Sequence, residues 1–154
     1  FQMAKEFVTT YNALWRSGLR AALNSAWDEY CDFKIVLTGH SIGGCLAQML
    51  SIKVQSTGMW SADDIWLYSY SASRCGYQQF ALAVDASAKT RYSIRYPDYV
   101  TQAPATTCTT IDPNNPQNCY WHCCYGIHYT KALFGGTSSS PGRCANGETA
   151  SCRS

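Results

Sequence analysis

Residues 35–44 read IVLTGHSIGG, and the meaning of this stretch decides the fold. Ile35, Val36 and Leu37 form a short apolar, β-branched run of the kind that makes a buried strand. Ser41 follows, with Gly39 and Gly43 two residues to either side. Beyond it Leu46, Ala47, Leu50 and Val54 repeat at helical spacing, and Gly58 closes the segment. A serine where a strand turns sharply into a helix stands with its hydroxyl exposed, and the turn is so tight that its neighbours must be small. A Cβ at Gly39 or Gly43 is expected to collide with adjoining backbone, and Gly44 to let the helix approach the sheet closely. The helix N-terminus then offers the Ile42 N–H and the positive end of the helix dipole to a developing oxyanion. The plainer alternative is a serine that only caps the helix. The strand before it and the helix after it favour a nucleophile.

Working outward, Phe7, Tyr11, Leu14, Leu19, Ala22, Ala26 and Tyr30 recur mostly every three or four residues. They predict helix across residues 1–30 with one face packed, and Gly18 is placed to bend or split it. Downstream, Ile65–Tyr70 reads as a strand, Phe80, Ala81, Val84 and Ala88 as a helix, and Tyr92–Tyr96 as a further strand. The order α-β-α-β-α-β implies an α/β fold with a mostly parallel sheet flanked by helices. From Pro97 the texture changes to loop, with residues 125–130 as a last short strand. Residues 1–134 are expected to form the α/β domain and 135–154 a Gly/Ser/Cys-rich tail.

Composition narrows the function. The chain has 154 residues, 46% hydrophobic and 14% charged, which is globular. Its net charge of +2 comes without a Lys/Arg cluster, which argues against nucleic acid and against a membrane-surface patch. No apolar run approaches the ~20 residues of a membrane span. There are nine cysteines. Cys31, Cys45 and Cys75 lie in the regular first half; Cys108, Cys119, Cys123, Cys124, Cys144 and Cys152 lie in the loop-rich remainder. That density points to disulfide staples and an oxidising, extracellular setting, and the odd total leaves at least one cysteine unpaired or bridging another chain.

A nucleophilic serine needs a base, and the base needs an orienting acid. Of the three histidines, His40 adjoins Ser41 on the sharp turn and reads as packing, which leaves His122 and His128. Asp98 directly follows the strand at 92–96, at the strand end where open parallel sheets bind ligands. Asp112, in DPNNP, is the rival acid and reads as turn chemistry. The order Ser41, Asp98, His122 matches the Ser…Asp…His order of α/β-hydrolases.

At these residues the chain resembles the fungal-type, or class 3, triacylglycerol lipases. FKIVLTGHSIGGCLAQML (33–50) resembles the family's [IV]-x-[VF]-T-G-H-S-L-G-G-A-L-A, and YSYSASRCG (68–76) its T-[FY]-G-x-P-R-V-G. YPDYVTQAP (96–104) resembles N-D-x-V-P-x-L-P, which puts the family's catalytic aspartate on Asp98. YWHCCYGIHY (120–129) resembles H-x-G-x-E-[YIV]-W, which puts the catalytic histidine on His122. The resemblance covers residues 1–130, and the cysteine-rich C-terminus is most similar to secreted animal members, nematode ones especially. It departs at Ser71 and Ser73 (family Gly and Pro), Thr101 (Pro), Gly126 (Glu) and His128 (Trp).

The resemblance implies a secreted serine ester hydrolase acting on acylglycerols or related esters through an acyl-enzyme. Ser41 attacks, His122 carries the proton, Asp98 orients the imidazole, Ile42 supplies an oxyanion N–H, and neither metal nor organic cofactor is needed. Family domains are much longer, with early strands, a lid and the second oxyanion donor upstream. The chain is therefore expected to be the C-terminal half of an α/β-hydrolase domain, truncated at its N-terminus. A truncated or inactive lipase-like protein is the alternative. A metal site at Cys119, His122, Cys123, Cys124 and His128 is a third reading, weakened because adjacent cysteines are poor ligands for one ion.

Overall fold

Gly18 decides how the N-terminal helix is built. At φ 130° it cannot continue a helix, and the segment divides into α1 (Lys5–Leu14) and α2 (Arg20–Tyr30) across a looser turn at Trp15–Leu19. The computed structural model describes residues 5–30, 32–95, 98–104, 120–124, 126–129 and 142–144. The kink also shifts the phase of the apolar face. Phe7 and Tyr11 point inward as the spacing implies, but in α2 it is Leu23 and Trp27 that meet the core, while Ala22 and Tyr30 face solvent. Trp27 packs edge-on against Trp60 with ring centroids 4.9 Å apart, and Trp60 Nε1 donates to the Phe33 carbonyl at 3.0 Å.

The remaining elements follow the expected alternation. They are β1 (Ile35–His40), α3 (Ile42–Ser56), β2 (Ile65–Tyr70), β3 (Gly76–Tyr77), α4 (Gln78–Ser87), β4 (Lys89–Arg95), β5 (Tyr120–Trp121), β6 (Gly126–Tyr129) and β7 (Gly142–Cys144). The main sheet has the order β1-β2-β4-β6-β7. Its first three pairings are parallel, with Ile35 opposite Ile65, Trp66 opposite Lys89 and Tyr92 opposite Gly126; β7 adds antiparallel to β6. This is an α/β-hydrolase-type sheet flanked by helices. Sequence periodicity did not show β3, β5 or β7, because strands of two or three residues carry no readable alternation. Of the tail at 135–154, Gly142–Cys144 forms β7, and the rest lies outside the described residues.

The strand at Ile35 differs from expectation in one respect. Among the described residues β1 is the edge of the sheet, so only Leu37 is buried and Val36 is 60% exposed. One strand inward, β2 has the alternation of a half-buried strand, with Ile65, Leu67 and Ser69 buried. The helix α3 packs on β1 and β2 and against α4. Its buried face is partly polar: Gln48 donates to Ser69 Oγ at 3.2 Å, and Ser51 and Ser87 share a hydrogen bond of 2.9 Å across the α3–α4 contact. Small hydroxyls satisfied in this way let two helices approach closely without an orphaned polar group.

Tyr11 is the contrary case. Its ring is buried, its hydroxyl finds no hydrogen-bond partner among the described residues, and burial pushes the phenol pKa up to about 12. Removing an unpaired buried hydroxyl while keeping the ring relieves a desolvation cost. Tyr11→Phe is therefore expected to raise unfolding free energy by about 1 kcal/mol in chemical denaturation.

Candidate active site

The backbone of Ser41 is the most informative geometry in the molecule. Its φ of 53° and ψ of −123° lie in a region that non-glycine residues rarely occupy, and its side chain makes no capping hydrogen bond to α3. The geometry therefore does not support the N-cap alternative: the hydroxyl serves none of the N–H groups that a cap would. The turn is fixed on both sides. Ser41 N–H donates to the Tyr70 carbonyl at 2.9 Å, extending the β1–β2 pairing, and the Ser41 carbonyl accepts from Gly44 N–H at 2.9 Å. The Ile42 and Gly43 N–H groups thus precede the helix's own acceptors, as first-turn donors do.

The glycines divide differently from expectation. A Cβ on Gly39 would overlap the Gly43 carbonyl group, and one on Gly44 would come within 2.7 Å of Ser69 Oγ and 2.9 Å of Ala72 Cβ. A Cβ on Gly43 meets nothing within 4 Å. Gly39 and Gly44 are needed for close approach; Gly43 supplies the carbonyl that Gly39 accommodates and itself faces open space.

Asp98 lies past the C-terminal end of β4 and starts a single helical turn, Tyr99–Gln102, by accepting from Val100 N–H at 3.1 Å. That carboxylate is partly exposed. Thr101, which stands at the family's proline position, is fully buried and returns its hydroxyl to the Asp98 carbonyl at 2.6 Å. The loop is tied to the segment after β2 by Arg74, whose N–H donates to the Ala103 carbonyl and whose guanidinium donates to the Pro104 carbonyl, both at 2.9 Å. The buried guanidinium is a structural hydrogen-bonder.

His122 follows β5 and is 3% exposed. Its ring lies against that of Tyr92, centroids 4.7 Å apart. Its Nε2 is 2.7 Å from the Thr101 carbonyl, so this nitrogen carries the proton and donates there; the Tyr92 hydroxyl is 3.4 Å away and itself donates to the Ala72 carbonyl at 2.7 Å. The structure thus joins His122 to the turn that Asp98 begins. Among the described residues no hydrogen bond links His122 with Ser41 or with the Asp98 carboxylate. In the sequence Tyr92 reads only as a strand residue and Thr101 only as a departure from the resembled motif; neither was expected to contact His122.

The other candidates fall into place. His40 is exposed, not packed. His128 sits in β6 opposite Ile94. Asp112 lies outside the described residues, as do Cys31, Cys108, Cys119 and Cys152. Cys45 is bonded to Cys75, and Cys123 to Cys124. Two of the cysteines in the metal reading are therefore joined to each other and offer no thiolate.

Three non-glycine residues among those described have positive φ: Ser41 (53°), Ser71 (47°) and Cys124 (80°). All three belong to the turns that carry or flank the candidate site. Strained backbone of this kind costs of order 1–3 kcal/mol per residue and gathers where function demands it. At Ser71 it also explains why a glycine is usual in the resembled motif.

Comparison with known proteins agrees with this geometry. Among solved structures, the chain is similar to a lipase from Rhizopus microsporus var. chinensis at 21% identity and a TM-score of 0.75, covering 98% of this chain and 48% of that one. Lipase II from Rhizopus niveus matches at 18% identity and 0.75, covering 98% and 52%. The Rhizomucor miehei triacylglyceride lipase matches at 21% and 0.71, covering 84% and 45%. The chain spans about half the length of the solved structures it matches, and at these identities the likeness shows the α/β-hydrolase fold. The family model for lipase (class 3) matches residues 1–108, which include the Ser41 elbow and Asp98 and stop short of His122. With more than two thirds of its length matched by that model, this chain belongs to the class 3 lipase family.

Proposed function

We propose that this protein is a serine ester hydrolase that cleaves acylglycerols or related carboxylic esters through Ser41, His122 and Asp98. The observation that carries the reading is the conformation of Ser41, a strained strand-to-helix elbow whose hydroxyl caps nothing. One structural relative is a triacylglycerol lipase whose catalytic centre is a serine-protease-type triad. In the reaction proposed here the imidazole of His122 leaves the Thr101 carbonyl and presents its unprotonated nitrogen to the serine hydroxyl, takes the hydroxyl proton as Ser41 attacks the acyl carbonyl, and returns it to the leaving alcohol. Asp98 steadies the imidazolium, the Ile42 N–H receives the oxyanion, and water then releases the acid. Catalytic hydrogen bonds are often unmade in a ligand-free site and form with substrate.

The rim supports an ester in an aggregated lipid phase. Ile42, Tyr70, Tyr99 and Val100 are all exposed apolar residues at the strand ends that carry Ser41 and Asp98. The disulfides support a secreted protein, and among the described residues no helix is long and apolar enough to cross a membrane.

A second reading, a lipase-like protein without catalysis, is favoured by one observation: the Nε2 of His122 is engaged by the Thr101 carbonyl. Fluorophosphonate labelling separates the two. Expected is stoichiometric labelling, located on the Ser41 peptide by mass spectrometry and lost in His122→Ala. A folded protein that takes up no probe establishes the second reading; equal labelling without His122 removes this histidine from the proposed mechanism.

A further inference from the structure

His122 is gripped from both sides by features that the triad itself does not require. After it come Cys123 and Cys124, bonded to each other. Adjacent cysteines joined in this way close a small ring that contains the peptide bond between them, so the backbone torsions there lose their freedom. Cys124 is held at φ 80°, and both side chains are buried in the core at 2% and 1% exposure. The N–H of Cys124 donates to Asp85 Oδ1 at 2.7 Å, and the Thr90 hydroxyl donates to the same oxygen at 3.2 Å. Asp85 rides on α4, so this carboxylate pins the histidine loop to an element distant in sequence and to the start of β4. Burial raises its carboxyl above the usual range, and the two hydrogen bonds work against that rise.

On the other flank, Trp121 pairs with Gly76, next to Cys75. Cys75 is bonded to Cys45 in the first turn of α3, the helix that Ser41 begins. A continuous path of covalent and hydrogen bonds therefore runs from the serine elbow through Cys45–Cys75 and the Gly76·Trp121 pair to His122, and on through the cysteine ring to Asp85.

We infer that the Cys123–Cys124 ring and the Asp85 carboxylate are positioning groups for His122, setting where its imidazole stands relative to Ser41 without touching substrate. The inference rests on the ester-hydrolase reading of those two residues. Its physical basis is that the imidazole turns on two side-chain bonds only, so its reach is set by where the backbone at 122 is held. A misplacement of about 1 Å, made far from the reacting atoms, can cost ~10²-fold in rate.

The test uses Asp85→Ala, Asp85→Asn and the double variant Cys123→Ser/Cys124→Ser in the intact protein. Each is followed by thermal unfolding, by kcat and KM on a soluble p-nitrophenyl ester, and by NMR titration of the His122 imidazole. In folded Asp85→Ala and in the double variant, kcat is expected to fall ~10- to 100-fold with KM nearly unchanged and the His122 titration displaced. Asp85→Asn keeps an oxygen for the Cys124 N–H and is expected to restore most of kcat. Folded Asp85→Ala with unchanged kcat and an unchanged titration overturns the inference. So does a loss of activity that merely tracks the unfolded fraction. If the wild-type protein is not labelled at Ser41, the ester-hydrolase reading has failed, and the titration alone still decides whether Asp85 positions the imidazole.

Discussion

Replacing Ser41 with alanine is expected to leave the protein folded, abolish fluorophosphonate labelling and lower ester hydrolysis by about 10⁶-fold, to the level left by binding and the oxyanion donor alone. The argument is local. The Ser41 hydroxyl makes no capping bond, so the helix loses nothing when it is removed. The turn is secured by backbone groups, Ser41 N–H to the Tyr70 carbonyl and Gly44 N–H to the Ser41 carbonyl, and the substitution touches neither. Thermal unfolding within about 1 °C of wild type, beside complete loss of turnover, isolates the chemical role, since ΔΔG of 1 kcal/mol shifts Tm by roughly 2–4 °C in a domain of this size. A variant that still labels at full rate would mean that another residue is the nucleophile.

Gly39→Ala is expected to destabilise the fold by about 3 kcal/mol or more, the upper end of what overpacking costs. The added Cβ overlaps the Gly43 carbonyl, and that atom is backbone at the start of a helix, with no flexible side chain to swing aside. Relief would require α3 to lift from β1, breaking the approach that also places Gly44 against Ser69 and Ala72. The control is Gly43→Ala. Nothing lies within 4 Å of its Cβ position. Alanine is the better helix former by up to about 1 kcal/mol, so stability should hold or rise. Urea denaturation of the two variants gives the comparison; equal stability of Gly39→Ala and wild type would mean that the elbow is looser than this geometry.

Much of the architecture was legible because each major element carries its own period. Strand, serine turn and helix from Ile35 to Ser56 announce themselves in order, and the alternation of elements implied the parallel sheet. The failures have physical causes. In α2 the partly buried residues packed on the core are Leu23 and Trp27, while Ala22 and Tyr30 are exposed, because Gly18 interrupts the helical phase. His40 and Val36 are exposed because they lie on the face of β1 opposite Leu37, the side chain of this strand that is buried.

Within the site, Ser41 was found through a motif whose geometry is self-contained. Asp98 and His122 came from order and resemblance. The groups that hold His122 left no local trace: Tyr92, the Thr101 carbonyl and Asp85 are scattered over β4, a loop and α4, and only folding brings them together. The pairing of Cys45 with Cys75 was equally silent, since cysteine counting had drawn attention to the tail.

The positive φ of Ser41 has an evolutionary corollary. Glycine adopts that conformation without a steric penalty, and the serine hydroxyl caps nothing, so Ser41→Gly would relieve strain while leaving the helix start as it is. Selection for stability alone would favour glycine at this position. Only a use for the hydroxyl pushes back. A lineage relieved of that use would gain heat resistance as it gave up the serine, which makes this one position a gauge of whether the chain still works for its living.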